Sequence, residues 1–278
     1  MTLVTAEWLA DNMETPNLVI LDTSIEFQIP AEPTKDTTNI IPNARRFDYD
    51  HVFCDKNASY PHMMPSEQEF NLHAQELGLN QNSIIVVYDN SGTFASPRAW
   101  WMLKAMGHES VYILNGGLSD WKEKGYPLSD QYQTVTQRGD FCGSLNPNHF
   151  LTAEQVADQI DNANSLTVDA RNQARFAGTT PEPREGLRSG HIPQSVCMPF
   201  AQLMDGAKIK PVDALKPILE GVLDKGQQQT IFSCGSGVTA CIVLLAAHLC
   251  GYRNLAVYDG SWTEWGSRSD LPIATSDA

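Results

Sequence analysis

Residues 230–251 read TIFSCGSGVTACIVLLAAHLCG. A short, mostly apolar, strand-like run leads to Ser233, and a run that is apolar almost all round, and helix-like, follows from Gly237. Between them stand Cys234, Gly235 and Ser236. Apolarity on every side suits elements buried in the middle of a domain. The first half of the chain carries the same arrangement at 84–107, IIVVYDNSGTFASPRAWWMLKAMG, with Asp89 where the later copy has Cys234.

The correspondence extends outward. LVILDTS (18–24) precedes NIIPNARRFDYD (39–50), as SLTVDAR (165–171) precedes GHIPQSVCMPF (190–200). VYILNGGLSDW (111–121) answers LAVYDGSWTEW (255–265). Gly107 and Gly251, Gly116 and Gly260, and Trp121 and Trp265 are each 144 residues apart; Asp89 and Cys234 are one residue out of that register. A period this long is no solenoid repeat. It predicts two domains of one fold. Strand-like runs alternate with helical runs at 156–163, 214–226 and 237–251, so the expected class is α/β, a mainly parallel sheet with helices on both faces in each domain. The polar, turn-rich stretch near residue 140 divides the chain into a first domain over 1–128, a linker over 129–148 and a second domain over 149–278.

Composition narrows the function. With 278 residues and 42% hydrophobic side chains the chain can bury ordinary cores. A net charge of −14 argues against nucleic acid and against an anionic membrane surface as partners. The N-terminal MTLVTAEWLADN has no basic region before an apolar stretch, and no apolar run reaches about 18 residues, so a cytoplasmic location without a membrane span is expected. The six cysteines (54, 142, 197, 234, 241 and 250) show neither CxxC nor zinc-ligand spacing.

Cys234 sits where α/β folds build their sites, at the carboxyl end of a strand. A Gly-rich turn there directs backbone N–H groups inward, and the following helix adds its dipole, so the loop favours an anion. Gly235 and Gly237 permit unusual backbone angles, and Ser236 and Thr239 offer hydroxyls for hydrogen bonding or helix capping. The stretch FSCGSGVTA (232–240) alone fits either a tight turn around a buried cysteine or a nucleophile loop. Cysteine phosphatases and sulfurtransferases both use such a loop. A phosphatase needs Arg six residues after Cys to clamp phosphate, and Ala240 stands there instead.

CGSGVTA resembles the active loop of the rhodanese superfamily, in its 3-mercaptopyruvate sulfurtransferase branch. RFAGTTPEPREGLRSGHIP (175–193), SPRAWWM (96–102) and YDGSWTEW (258–265) are also similar to segments of that family, so the resemblance covers nearly the whole chain. It implies two tandem rhodanese-like domains, the first inactive because Asp89 replaces the cysteine. The family has Gly after HIP; this chain has Gln194, which puts that turn's backbone in question.

The implied activity is transfer of sulfur from 3-mercaptopyruvate to a thiol or cyanide acceptor, such as thioredoxin or a small dithiol, through a Cys234 persulfide. No metal or organic cofactor is required. The loop residues Gly235, Gly237, Val238 and Thr239 would hold the anionic sulfur. Four of the ten arginines, Arg171, Arg175, Arg184 and Arg188, lie within 18 residues. Ion pairing with Glu182 and Glu185 competes with substrate binding for each. The resemblance assigns Arg175 and Arg184 to the substrate carboxylate and leaves Arg171 and Arg188 structural. It also implies a proton relay of Asp50, His62 and Ser236 with Cys234. The thiosulfate branch carries basic residues inside the loop, whereas 235–238 is uncharged, which favours a monoanionic keto acid over thiosulfate. Thiosulfate transfer and a persulfide carrier with little turnover are the alternatives.

Overall fold

The computed structural model describes residues 1–223 and 228–276. The chain forms two compact units. One comprises residues 1–57, 64–146 and 205–209; the other comprises 58–63, 147–204 and 210–278.

The first unit runs β1 (Leu3–Val4), α1 (Ala6–Asn12), β2 (Leu18–Asp22), β3 (Ala44–Arg46), α2 (Glu67–Glu76), β4 (Ile84–Tyr88), α3 (Ser96–Ala105), β5 (Val111–Leu114) and α4 (Gly117–Glu123). Its strands pair in parallel in the order β1-β5-β4-β2-β3. The central strand β4 and its neighbour β2 read IIVVY and LVILD, the near-continuous branched apolar runs of a sheet covered on both faces. Ser66 and Glu69 form a capping box at the start of α2, satisfying two otherwise orphaned N–H groups.

The second unit runs β6 (Phe150–Leu151), α5 (Ala153–Ala157), β7 (Ser165–Asp169), α6 (Gln173–Ala177), β8 (Val196–Cys197), the hairpin strands β9 (Met204–Asp205) and β10 (Lys208–Ile209), α7 (Val212–Glu220), β11 (Gln229–Ser233), α8 (Ala240–Leu249), β12 (Leu255–Tyr258) and α9 (Ser261–Trp265). Residue 205 and strand β10 fall within the first unit's 205–209. The sheet order β6-β12-β11-β7-β8 repeats the first unit's order strand for strand. The duplication read from the glycine and tryptophan spacing is therefore a duplication of topology. The tryptophans close each copy in the same way: Trp121 Nε1 donates to Pro127 O at 2.8 Å, and Trp265 Nε1 to Pro272 O at 2.7 Å.

Several local expectations are corrected. The helix expected at 156–163 ends at Ala157, because Asp and Asn side chains compete for the backbone beyond it; Asn162 Oδ1 takes the Asn164 N–H at 3.0 Å. The helix expected over 214–226 ends at Glu220, with Gly221 after it, and residues 224–226 lie outside the described ones. Gln194 adopts φ 61, the left-handed conformation a glycine would take, so this turn keeps its shape at a cost of about 1 kcal/mol. Its counterpart Asn43 sits at φ 64. Residues 129–146 belong to the first unit and are tied to it: Gln133 N–H donates to Ala44 O at 2.8 Å, Gly139 N–H to Gln75 O at 2.8 Å and Asn146 N–H to Ala105 O at 2.8 Å.

Candidate active site

Strand β11 delivers Cys234 to the carboxyl edge of its sheet, and Cys234 is 2% exposed. The turn between β12 and α9 clamps its backbone. The Cys234 N–H donates to Ser261 Oγ at 3.2 Å, and its carbonyl accepts the Trp262 N–H at 2.9 Å. Ser261 holds φ 49 while its hydroxyl donates to Tyr258 O at 2.9 Å. The next carbonyl, of Gly235, accepts both the N–H and the hydroxyl of Thr263, at 2.9 and 2.6 Å. Sequence reasoning missed Ser261 and Thr263. Both lie in the YDGSWTEW segment, but nothing in that string says it folds back on residues 234 and 235.

Only Gly237 in this loop uses the left-handed region, at φ 78; Gly235 does not. A side chain at Gly235 would instead point toward Arg175, whose Nη2 lies 3.6 Å from the position of a Cβ. Thr239 occupies the cap position of α8 but makes no side-chain cap, contrary to the capping role considered for it. Among the described residues, the N–H groups of Gly235, Ser236, Val238 and Thr239 have no partner, nor do the Ser236 and Thr239 hydroxyls. Ser236 and Val238 are buried, at 6% and 1% exposure. A loop with this many unspent donors is built to receive negative charge.

The arginines divide into two kinds. Arg171 is buried, fork-bonded to Asp169 through Nε at 3.0 Å and Nη2 at 2.6 Å, and bonded to Glu182 at 2.7 Å and Gly190 O at 2.7 Å. Its guanidinium stacks 4.2 Å over the Trp262 ring. Burial alone would lower its pKa, but Asp169, then Glu182 and Cys234, outweigh burial and raise it. Arg188 binds the carbonyls of Gly266, Leu271, Trp265 and Arg268. Arg175 meets Glu182 at 2.5 Å and lies on the side of the loop that a side chain at Gly235 would face. Arg184 is exposed and touches no carboxylate among the described residues; its Nη1 donates to the Thr263 hydroxyl. Asp169, Arg171, Glu182 and Arg175 cancel in formal charge, and among the described residues Arg184 is a cation beside the loop with no carboxylate partner.

His62 belongs to the same unit as Cys234; it is 7% exposed and stands at φ 63. Asp50 belongs to the other unit, where its Oδ2 accepts the Glu26 N–H at 3.2 Å. Among the described residues, no group of three or more His, Cys, Asp or Glu is placed to hold a metal, and no helix is long and apolar enough to cross a membrane.

Comparison with known proteins identifies the family. The Rhodanese-like domain family matches the chain twice, over residues 5–124 and 152–268. The chain belongs to the rhodanese family. Among its relatives, the 3-mercaptopyruvate sulfurtransferase of Escherichia coli (strain K12) is 36% identical over 278 residues, covering 97% of this chain and 96% of that protein. The mitochondrial thiosulfate/3-mercaptopyruvate sulfurtransferase 1 of Arabidopsis thaliana is 36% identical over 302 residues, covering 99% of this chain and 79% of that protein. The crystal structure of SseA, a 3-mercaptopyruvate sulfotransferase from Escherichia coli, superposes with a TM-score of 0.82 at 33% identity, covering 94% of this chain and 99% of that one.

The two rhodanese-like domains differ at the strand–helix loop. In the first, the Asp89 carboxylate accepts the backbone N–H groups of Gly92, Phe94, Ala95 and Ser96, at 2.9, 3.0, 2.9 and 2.8 Å. The loop is filled by its own side chain. In the second rhodanese-like domain the same loop carries a thiol and keeps donors to spare.

Proposed function

We propose that the protein is a 3-mercaptopyruvate sulfurtransferase working through a Cys234 persulfide. The observation that carries this is the contrast between the two loops: one closed by Asp89, the other presenting Cys234 among unpartnered N–H and hydroxyl donors.

The Cys234 thiolate attacks the sulfur of 3-mercaptopyruvate. The carbon–sulfur bond breaks, its electron pair leaves on the pyruvate enolate, and the enolate takes a proton to give pyruvate. Loop N–H groups stabilise the charge on the outer sulfur, as they would an oxyanion. An acceptor thiolate then attacks that sulfur and frees the Cys234 thiolate, which makes the cycle ping-pong. Ser236, His62 and Asp50 are the groups we assign to proton handling. Arg184 and Arg175 are assigned to the substrate carboxylate, Arg184 supplying the uncompensated charge a monoanion requires. Gly235, Gly237, Val238 and Thr239 line the receiving loop. The acceptor is assigned as a dithiol, either small or of the thioredoxin kind, and the setting as cytoplasmic.

Mass spectrometry tests the persulfide. Incubated with 3-mercaptopyruvate and no acceptor, the protein gains one sulfur on Cys234, and the Cys234→Ser variant gains none. An unmodified Cys234, or sulfur spread over the other cysteines, would sink the mechanism. Turnover with a thiol acceptor then separates an enzyme from a carrier, and parallel assays with thiosulfate set the donor preference.

A further inference from the structure

Thr263 spends its hydroxyl in an uneconomical way unless Arg184 is the reason. The Gly235 carbonyl is already satisfied by the Thr263 N–H at 2.9 Å. The hydroxyl adds a second bond to the same carbonyl, at 2.6 Å, and in that orientation turns a lone pair to Arg184 Nη1. Two bonds from one residue to one carbonyl fix the Thr263 rotamer, and a β-branched side chain has little χ1 freedom to begin with. Arg184, by contrast, is a long exposed side chain that would otherwise sample many rotamers.

The chemistry of the acceptor matters. A carboxylate at this place would hold Arg184 more firmly but neutralise it, as Glu182 does for Arg175. An aliphatic side chain would leave it unheld. A neutral hydroxyl aligns the guanidinium while leaving its charge, and the rest of its five donors, for a ligand. We propose that Thr263 is a positioning residue for substrate specificity: it aims Arg184 across the rim of the Cys234 loop so that a donor carrying a carboxylate is bound in register with the thiol. This rests on the assignment of Arg184 to the substrate carboxylate.

The test is a double-mutant cycle on the full chain, with steady-state kinetics on 3-mercaptopyruvate and on thiosulfate. Thr263→Val is nearly isosteric and keeps the backbone bond to Gly235. It should raise KM for 3-mercaptopyruvate about tenfold, the worth of one hydrogen bond to a charged group. It should leave kcat, and all thiosulfate parameters, within about twofold. Thr263→Ser, which keeps the hydroxyl, should restore wild-type KM. In an Arg184→Ala background, Thr263→Val should add nothing. An unchanged KM in Thr263→Val, an equal loss with both donors, or a full loss persisting in the Arg184→Ala background would overturn the positioning role while leaving Arg184 in place. An Arg184→Ala variant with normal KM for 3-mercaptopyruvate would instead overturn the carboxylate assignment itself, and the positioning role with it.

Discussion

Asp89 Oδ2 accepts both the backbone N–H and the hydroxyl of Ser96, at 2.8 and 2.9 Å. Ala95, at the cap position of α3, has no side chain that could do this, so a carboxylate from six residues upstream caps the helix instead. The donors of the first domain's loop are committed to an internal anion that contributes to folding.

Asp89→Ala should therefore be costly to stability. It strands four buried N–H groups, and a loss of about 3 kcal/mol or more is expected, seen as a melting temperature lower by roughly 10 °C. Below the transition, persulfide formation on Cys234 should continue at the wild-type rate. A melting temperature within a degree or two of wild type would show that the carboxylate is not holding the loop.

Arg175 and Arg184 should separate in stability as well as in kinetics. Both alanine variants should weaken 3-mercaptopyruvate turnover more than thiosulfate turnover. Arg175→Ala also removes a partner from Glu182, whose side chain is 1% exposed, and should destabilise the protein by about 1–3 kcal/mol. Arg184→Ala breaks one bond to an exposed rim and should leave the denaturation midpoint unchanged. Equal stability losses would contradict the pairing described above.

The arginines also mark what the sequence could and could not convey. Their clustering was legible, as were the duplication and the place of Cys234 at the end of a strand, because glycines, tryptophans and a loop motif repeat at fixed spacing. Which arginine keeps its charge was not. Arg184 is next to Glu185 in the chain, yet it pairs with neither that residue nor Glu182; Glu182 turns inward to Arg171 and Arg175. That choice follows from the path of the loop after Gly178, where φ 81 ends α6, and loop paths are set by tertiary contacts rather than by local spacing. Ser261 and Thr263 were illegible for the same reason. Helix ends were overextended where Asp and Asn compete for the backbone.

Glu32 supplies a pH signature. Its side chain is fully buried, with the Ile29 N–H at 2.7 Å and Lys35 at 3.3 Å; burial raises its pKa above the ordinary 4.5, while Ser91, Ile29 and Lys35 partly offset this. The folded protein then holds a proton that the unfolded chain releases, so Glu32 lowers stability as pH rises through the window just above 4.5. Urea titrations of wild type and Glu32→Gln across that window should show the difference between them shifting in favour of the glutamine variant as pH increases. A shift in the opposite sense would mean that the ionised carboxylate is the better-stabilised form.

Cys197 gives a reactivity contrast. Burial, then the charge of Asp169, pushes its thiol up to about 12. It stays protonated at pH 8 and should resist iodoacetamide while the exposed Cys142 is labelled. Peptide mapping of the alkylated protein reads this out; rapid labelling of Cys197 in the native state would contradict it.

Residues 58–63 and 205–209 each cluster with the unit built mainly from the other half of the chain. A single cut between the halves would take from the first unit the Ala207 carbonyl that receives the Thr93 N–H at 2.9 Å, and from the second the Tyr60 hydroxyl beside Ser267 at 3.4 Å. The duplication is thus no longer modular. Each copy is completed by a splint borrowed from the other's stretch of chain, so neither could be excised, shuffled or inherited alone without repair.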